Sequence, residues 1–285
     1  MPLYSQLSDR TYNQPVLVMC LEGWIDAGLG AATAMASLLS GRETERVATW
    51  DADELIDHRA RRPVLHLADG VARGITWPDI DLRAGQDDAG NDVVFLSGPE
   101  PDMRWHAFAG SVSELALALG VRLVVGLGAF PAPVPHTRSV RLVATAPNRE
   151  LAAEVGFIPG AIDVPAGIQA VLEEGLNQAG IPAVGLWARV PHYVVSMPYP
   201  AASAALVDGL AAVSGLSFQS SDLQESATRA RSRIDELIAN SAEHQAMVSQ
   251  LEGQVDREAE MIGPLPSGDE LAAELERYLR GEGAG

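Results

Sequence analysis

The stretch from residue 121 to 138 constrains the fold more than any other. Val121, Leu123, Val124 and Val125 form an apolar run bounded by Gly120 and Gly126. Such a run fits a strand buried on both faces of a sheet. Gly126-Leu127-Gly128-Ala129-Phe130-Pro131-Ala132-Pro133-Val134-Pro135 then breaks the pattern and delivers His136, Thr137 and Arg138. A helical pattern precedes the run and another strand pattern follows it. Open α/β sheets meet ligands and partners where strands end and loops begin. The Pro-rich loop with its three polar residues is therefore the expected functional edge.

The same alternation recurs along the chain. Residues 14–21 read as a first buried strand, and Ala27 to Leu39 carry Ala, Met and Leu at helical spacing with Asp26 as N-cap. Arg46 to Trp50 and Pro63 to Leu67 are further strands. Gly74 to Leu82 and Asp92 to Leu96 flank a Gln86–Asn91 turn, which predicts an antiparallel hairpin. Asp102 caps a helix running to Leu119. Val140 to Thr145 is a strand, Asn148 caps a short helix to Glu154, and Gly167 to Ala179 is helical. Ala183 to Val190 is a strand that again runs into Pro-His, at Pro191-His192-Tyr193, and Pro200 opens a helix through Val213. Strands alternating with helices predict an α/β fold, a mostly parallel doubly wound sheet.

Near Gly215 the pattern changes. Leu223, Ala227, Ala230, Ile234, Leu237, Ser241, His244, Val248, Leu251 and Val255 step by fours and threes. This is a heptad seam whose polar weak point lies at residues 240–244, and Ser221 to Gln224 make a capping box at its start. One continuous helix to Glu260 would be ~57 Å long at 1.5 Å per residue. A helical arm or a hairpin folded near Asn240-Ser241 is expected instead, with its stripe available beyond the core. Gly263-Pro264 ends it, Ser267 to Glu270 cap a last helix over 271–280, and a Gly-rich tail follows. The expected division is an α/β core over 1–216, a helical extension over 217–262 and a C-terminal helix and tail over 263–285.

Composition narrows the chemistry. The net charge of −18 argues against nucleic acid and anionic membranes as partners. All 20 basic residues are Arg, which removes Schiff-base chemistry and a P-loop lysine. The lone Cys20 has no disulfide partner, the N-terminus lacks a basic-then-apolar leader, and no apolar run approaches the ~18 residues of a membrane span. A cytoplasmic location is expected.

Several motifs imitate active sites. Gly28-Leu29-Gly30-Ala31-Ala32-Thr33, with Asp51 after the next strand, mimics a dinucleotide loop. Its glycines lie beyond the strand end and the third is Thr33, so close helix–sheet packing explains them better; no cofactor and no metal are expected. His136 and His192 each follow Val-Pro after a buried strand. With Glu22, Asp26 or Glu100 they could form an acid–base or metal site, or each could simply bond a backbone carbonyl in a turn. Arg138 could bind an anion, but a salt bridge with Glu100 or Asp26 is the simpler role. No Gly-x-Ser-x-Gly elbow exists. His58-Arg59-Ala60-Arg61-Arg62 is a basic cluster that reads as a solvated face.

Several stretches, taken in order, resemble the proteasome assembly chaperone type 2 family, in its high-GC bacterial branch. They are Glu22-Gly23-Trp24-Ile25-Asp26-Ala27-Gly28, Gly98-Pro99-Glu100-Pro101 with Arg104-Trp105, Leu127-Gly128-Ala129 with Pro135-His136-Thr137-Arg138, Leu186 to Tyr193, and Leu265 to Leu271. The resemblance implies a fold like that of purine nucleoside phosphorylases. It also implies a non-enzymatic, protein-interaction role of assembly-chaperone type, with proteasome-type subunits as partners, and a homo-oligomer such as a trimer. Chaperones of this type often dock through a C-terminal hydrophobic-Tyr-any tripeptide. This chain ends Gly283-Ala284-Gly285, and Tyr278 lies too far inside, so contact would fall to the helical arm. The candidate functional residues are Glu22, Trp24, Asp26, Glu100, Arg104, His136, Thr137, Arg138, His192 and Tyr193. The alternative is a small-ligand binder, or a hydrolase or phosphorylase-like enzyme, using a cleft around His136, Arg138 and His192.

Overall fold

The computed structural model describes residues 3–23, 25–147 and 149–261. Trp24, the Asn148 cap, the capping box at Ser267 and the last helix lie outside the described residues. Eight strands form the main sheet: β1 (Tyr4–Gln6), β2 (Val16–Glu22), β3 (Glu45–Trp50), β6 (Ile80–Gln86), β7 (Asp92–Pro99), β8 (Leu123–Ala132), β9 (Leu142–Thr145) and β10 (Ala183–Pro191). Two more, β4 (Val64–Ala68) and β5 (Val71–Thr76), pair only with each other. The main order is β1-β3-β6-β7-β2-β8-β10-β9. The four central strands, β7-β2-β8-β10, run parallel, and antiparallel strands close both sides.

Alternation along the central strands feeds two cores. Val16, Val18 and Cys20 of β2 face one side, with Ala34 and Leu38 of α1 (Gly30–Leu39) and Leu206 and Leu210 of α6 (Pro200–Ser214). Leu17 and Met19 face the other, with Phe108 and Leu115 of α3 (Trp105–Ala118) and Leu172 and Leu176 of α5 (Ile168–Gln178). A period of two in the strands against helices on both faces gives the doubly wound arrangement. Pro at the first turn of α6 and Gly215 in the left-handed region at its end fix that helix's bounds.

Three local expectations are corrected. β8 does not stop at Val125 but continues through Ala132, in register with β10 to Pro191. Its glycines are places of close approach rather than turns: a Cβ on Gly126 would collide with Gln169, and one on Gly128 with the Trp187 ring. Second, the run read as one strand over 74–82 divides at Trp77-Pro78 into β5 and β6. Third, Asp102 does not cap α3. Arg104, in a left-handed conformation, precedes that helix, and Asp102 accepts from the Asp57 amide instead.

The C-terminal extension is two helices, α7 (Ser221–Ala239) and α8 (Ala242–Met261), broken at Asn240-Ser241. α7 lies on α6, and both α7 and α8 return to the loop that follows β8. The heptad stripe is therefore largely consumed within the chain: Leu223, Ile234, Val248, Leu251 and Val255 are buried, while Leu237 is exposed. Two further short helices, α2 (Ala52–Leu55) before β4 and α4 (Arg149–Val155) after β9, and single turns at Ala27–Leu29 and His192–Val194 complete the described structure.

Candidate functional site

Because β8 and β10 are parallel neighbours, their trailing loops emerge at one edge of the sheet. His136 follows β8 and His192 opens the short turn His192–Val194 after β10. Tyr193 joins them: its ring meets the edge of both imidazoles, at 5.8 Å from His136 and 5.4 Å from His192. The Tyr193 hydroxyl accepts the His136 backbone N–H at 2.9 Å and lies 2.7 Å from Nδ1. His136 Nε2 is 2.9 Å from Asp235 Oδ1 on α7. One tautomer satisfies all three contacts: Nε2–H donates to the carboxylate, and the phenol donates to Nδ1. Burial raises the Tyr193 pKa, so the phenol keeps its proton.

The neighbours of His136 are committed in the same way. Thr137 donates to Glu252 of α8. Arg138 makes a two-pronged pair with Asp256, Nε to Oδ1 at 2.9 Å and Nη2 to Oδ2 at 2.8 Å, and its Nη1 reaches Glu252 at 3.1 Å. The pairing holds Asp256 below the usual carboxylate range and pushes Arg138 further up. Arg189 of β10 adds a contact to Glu258 at 3.4 Å. The space among Val134, Pro135, Arg138, Tyr199 and Val255 is only about 10 Å³. The polar residues of this edge thus seat the chain's own hairpin, and the His136 side chain is 1% exposed. Arg138 pairs with α8, not with Glu100 or Asp26.

The remaining candidates lie elsewhere. Glu22, Asp26 and Glu100 share a cleft of about 360 Å³ with Leu21, Ile25, Leu29, Gly128, Gln169 and Trp187. It lies between the starts of α1 and α5, where the parallel strands end. Asp26 accepts from the Ala31 and Ala32 amides at 2.7 and 2.9 Å, and Glu100 accepts from Ile168 N–H at 2.6 Å. Each carboxylate thus terminates a helix, one of the commonest structural uses of an acid. Burial raises the Asp26 pKa against those hydrogen bonds. Glu22 remains exposed. Arg104 pairs with Glu54 and His192 is exposed. Nine of the ten candidates therefore divide into the seat under the hairpin (His136, Thr137, Arg138, Tyr193, with His192 beside it), the cleft (Glu22, Asp26, Glu100) and Arg104 apart; Trp24 lies outside the described residues.

The glycines that imitate a dinucleotide loop have a packing role. Gly28 has φ +64 and exchanges backbone hydrogen bonds with Val195 and Tyr199. A Cβ on Gly30 would crowd Ala129 at 2.8 Å. The Asp26 carboxylate occupies the start of α1, where a phosphate would otherwise bind.

The sequence reading missed one group behind the cleft. Glu173 of α5 is buried, and it accepts from Gln169 Nε2 at 3.1 Å and Thr145 Oγ1 at 2.9 Å. Trp187 Nε1–H in turn donates to Thr145 Oγ1 at 3.0 Å. Burial pushes the Glu173 carboxyl up to about 7. The only sequence signal was a Gln and a Glu four residues apart on one helix. Cys20, also lining the cleft, has its thiol pushed up to about 12 by burial, which makes it unreactive. Among the described residues no group of three or more His, Cys, Asp or Glu side chains is placed to hold a metal ion. No described helix is long and apolar enough to cross a membrane.

Comparison with known proteins agrees with this fold. A Mycobacterium tuberculosis protein of unknown function is 36% identical with a TM-score of 0.81, over 90% of this chain and 91% of that one. A PAC2 family protein from Streptomyces avermitilis is 36% identical with a TM-score of 0.74, over 82% and 99%. A Mycobacterium tuberculosis proteasome-assembly chaperone homologue is 35% identical with a TM-score of 0.76, over 82% and 99%. No curated protein matches the chain. The PAC2 family model matches residues 20–238, three quarters of the sequence, and the chain belongs to the PAC2 family.

Proposed function

We propose that this chain is a non-enzymatic, cytoplasmic protein-interaction module of the assembly-chaperone kind. It works as a homo-oligomer and engages proteasome-type subunits. The carrying observation is where its apolar surface lies. Five residues of the β4–β5 ribbon, Val64, Leu65, Leu67, Val71 and Ile75, are 52–62% exposed. Phe157, Ile158, Ile162 and Val164, in the segment between α4 and α5, are 41–70% exposed. Apolar side chains concentrated on two segments mark contact surfaces. Asp26 and Glu100 are instead engaged as helix caps, and His136, Thr137 and Arg138 are engaged under the hairpin. Native mass spectrometry of the chain mixed with purified proteasome α-type subunits tests the reading. A complex of defined stoichiometry is expected; its absence at concentrations up to about 100 μM, beyond which a contact is weaker than ~5.5 kcal/mol, would overturn it.

A second reading rests on the cleft, whose volume of about 360 Å³ suits a small molecule. A thermal-shift screen with nucleosides, phosphate and divalent metals tests it. A ligand at 100 times its dissociation constant stabilises by about 2.7 kcal/mol. No shift with any of them removes this reading.

A further inference from the structure

The β4–β5 ribbon folds as a unit of its own. Asp69 and Gly70, with φ +51 and +77, make a two-residue hairpin turn, and Ala68 pairs with Val71 beside it. The two strands pair only with each other, and none of residues 64–76 belongs to either core. Leu65 and Leu67 share one face with Ile75, which lies opposite Leu65. An isolated two-stranded ribbon is marginal in water; three or more strands with an apolar face are stable.

The ribbon's two outer edges differ. β5 is guarded: the register shift between His66 and Leu67 leaves Arg73 as an extra residue, and Gly74 beside it has φ +152. A bulge and a charge are common protections of an edge strand. β4, Val64-Leu65-His66-Leu67-Ala68, has no charge, no proline and no extra residue. It is the edge open to a further strand.

We propose that β4 pairs with β4 of a second copy, antiparallel about a two-fold axis through His66, giving a four-stranded sheet in the order β5-β4-β4-β5. The inference rests on the self-association part of the reading above and not on its proteasome partner. Three features select a copy of this chain. Full overlap of a five-residue strand with itself places the middle residue, His66, on the axis and sets Leu65 of each copy opposite Leu67 of the other, an isologous match. The same register brings Gly70 of each tip opposite Arg62 at the other ribbon's base, so Asp69 lies one residue from it. Arg62 is exposed and forms no ion pair among the described residues, and the same holds for Asp69. Lastly, the ribbon is neutral, Arg73 against Asp69, in a chain of net −18. Antiparallel pairing keeps the two acidic bodies at opposite ends of a ribbon ~17 Å long, about two Debye lengths at physiological salt.

Disulfide trapping in the full-length chain tests both the surface and the register. Residues directly opposite in an antiparallel pair have Cα atoms about 4.5–5.5 Å apart, within reach of a disulfide. His66→Cys is expected to form a covalent dimer on mild oxidation. Val64→Cys and Ala68→Cys each lie about 13 Å from the same position in the other copy. Each alone is expected to stay uncrosslinked, and the two to crosslink when mixed. Arg73→Cys, on the guarded edge, is expected not to crosslink. Cys20 is buried, so the wild-type chain serves as the blank. By sedimentation, Leu65→Asp with Leu67→Asp is expected to halve the wild-type mass with unchanged melting temperature. Arg62→Glu, which keeps every apolar contact, is expected to weaken association about threefold or more through two cross-strand charge pairs. An oligomer untouched by the leucine changes, or equal crosslinking at positions 66 and 73, would overturn the proposal and leave self-association standing. A wild-type chain that is monomeric up to about 100 μM would overturn both. Proteasome-type subunits enter none of these readouts.

Discussion

Replacing Glu173 with glutamine tests the account of the buried acid behind the cleft. Glu173 is 4% exposed, and its carboxyl is bonded by the neutral donors Gln169 and Thr145, so burial is the leading cause of its raised pKa. Burial moves it from 4.5 to about 7, so between those values the folded chain holds a proton that the unfolded chain has released. Stability must then fall as pH rises through this window. At 1.36 kcal/mol per pH unit the loss reaches about 3 kcal/mol by pH 8. The amide of Glu173→Gln fills the same space without titrating. Asp26 and Asp81 are raised as well, so the wild-type curve alone is not diagnostic. The difference between variant and wild type isolates position 173. Urea unfolding at pH 5, 6, 7 and 8 should give near-equal stabilities at pH 5 and a variant about 3 kcal/mol more stable at pH 8. Parallel curves, or a wild type that gains on the variant as pH rises, would refute the reasoning by showing the carboxylate ionised inside the fold.

Other predictions follow from single contacts. Gly128→Ala places a methyl group in the Trp187 ring and should cost about 1–3 kcal/mol by overpacking, read from urea midpoints. Tyr193→Phe removes the hydroxyl shared by the His136 amide and Nδ1, and should cost about 1–3 kcal/mol for the buried polar groups left unpaired. Ile234→Ala empties a fully packed position between α7 and the core and should cost about 2–5 kcal/mol. Arg138→Ala should raise amide hydrogen exchange in α8 while leaving the central strands unchanged; equal protection in both proteins would show that the Asp256 and Glu252 contacts do not hold that helix.

The sheet was readable because period and composition agree there. Val16 to Cys20, Val93 to Leu96 and Val124-Val125 are strand-length apolar runs, and the helices that cover them carry Ala and Leu at helical spacing. Reading failed where a residue type has two physical uses. Gly126 and Gly128 look like turn residues, yet they lie inside β8 because Gln169 and Trp187 need the room. Asp102 looks like an N-cap, but tertiary contact with Asp57 claims it. The heptads were visible, and the sequence left a projecting arm or a fold near Asn240-Ser241 open, but it did not show what the stripe would cover. That depends on Asp235, Glu252 and Asp256 meeting residues more than ninety positions away, and no local pattern encodes such pairings. The two Pro-His pairs do reach one edge of the sheet, as parallel β8 and β10 require, but only one histidine is covered.

The claim most worth testing is that the His136 edge is a sealed seat for the hairpin and not an open chemical site. Diethylpyrocarbonate labelling of the native chain, followed residue by residue by mass spectrometry, compares the two histidines of this edge directly. His192, exposed beside Tyr193, should react readily, while His136, bonded at both ring nitrogens beneath α7, should react at least tenfold more slowly. Equal rates would contradict the account and return His136 to the set of accessible, chemically available groups.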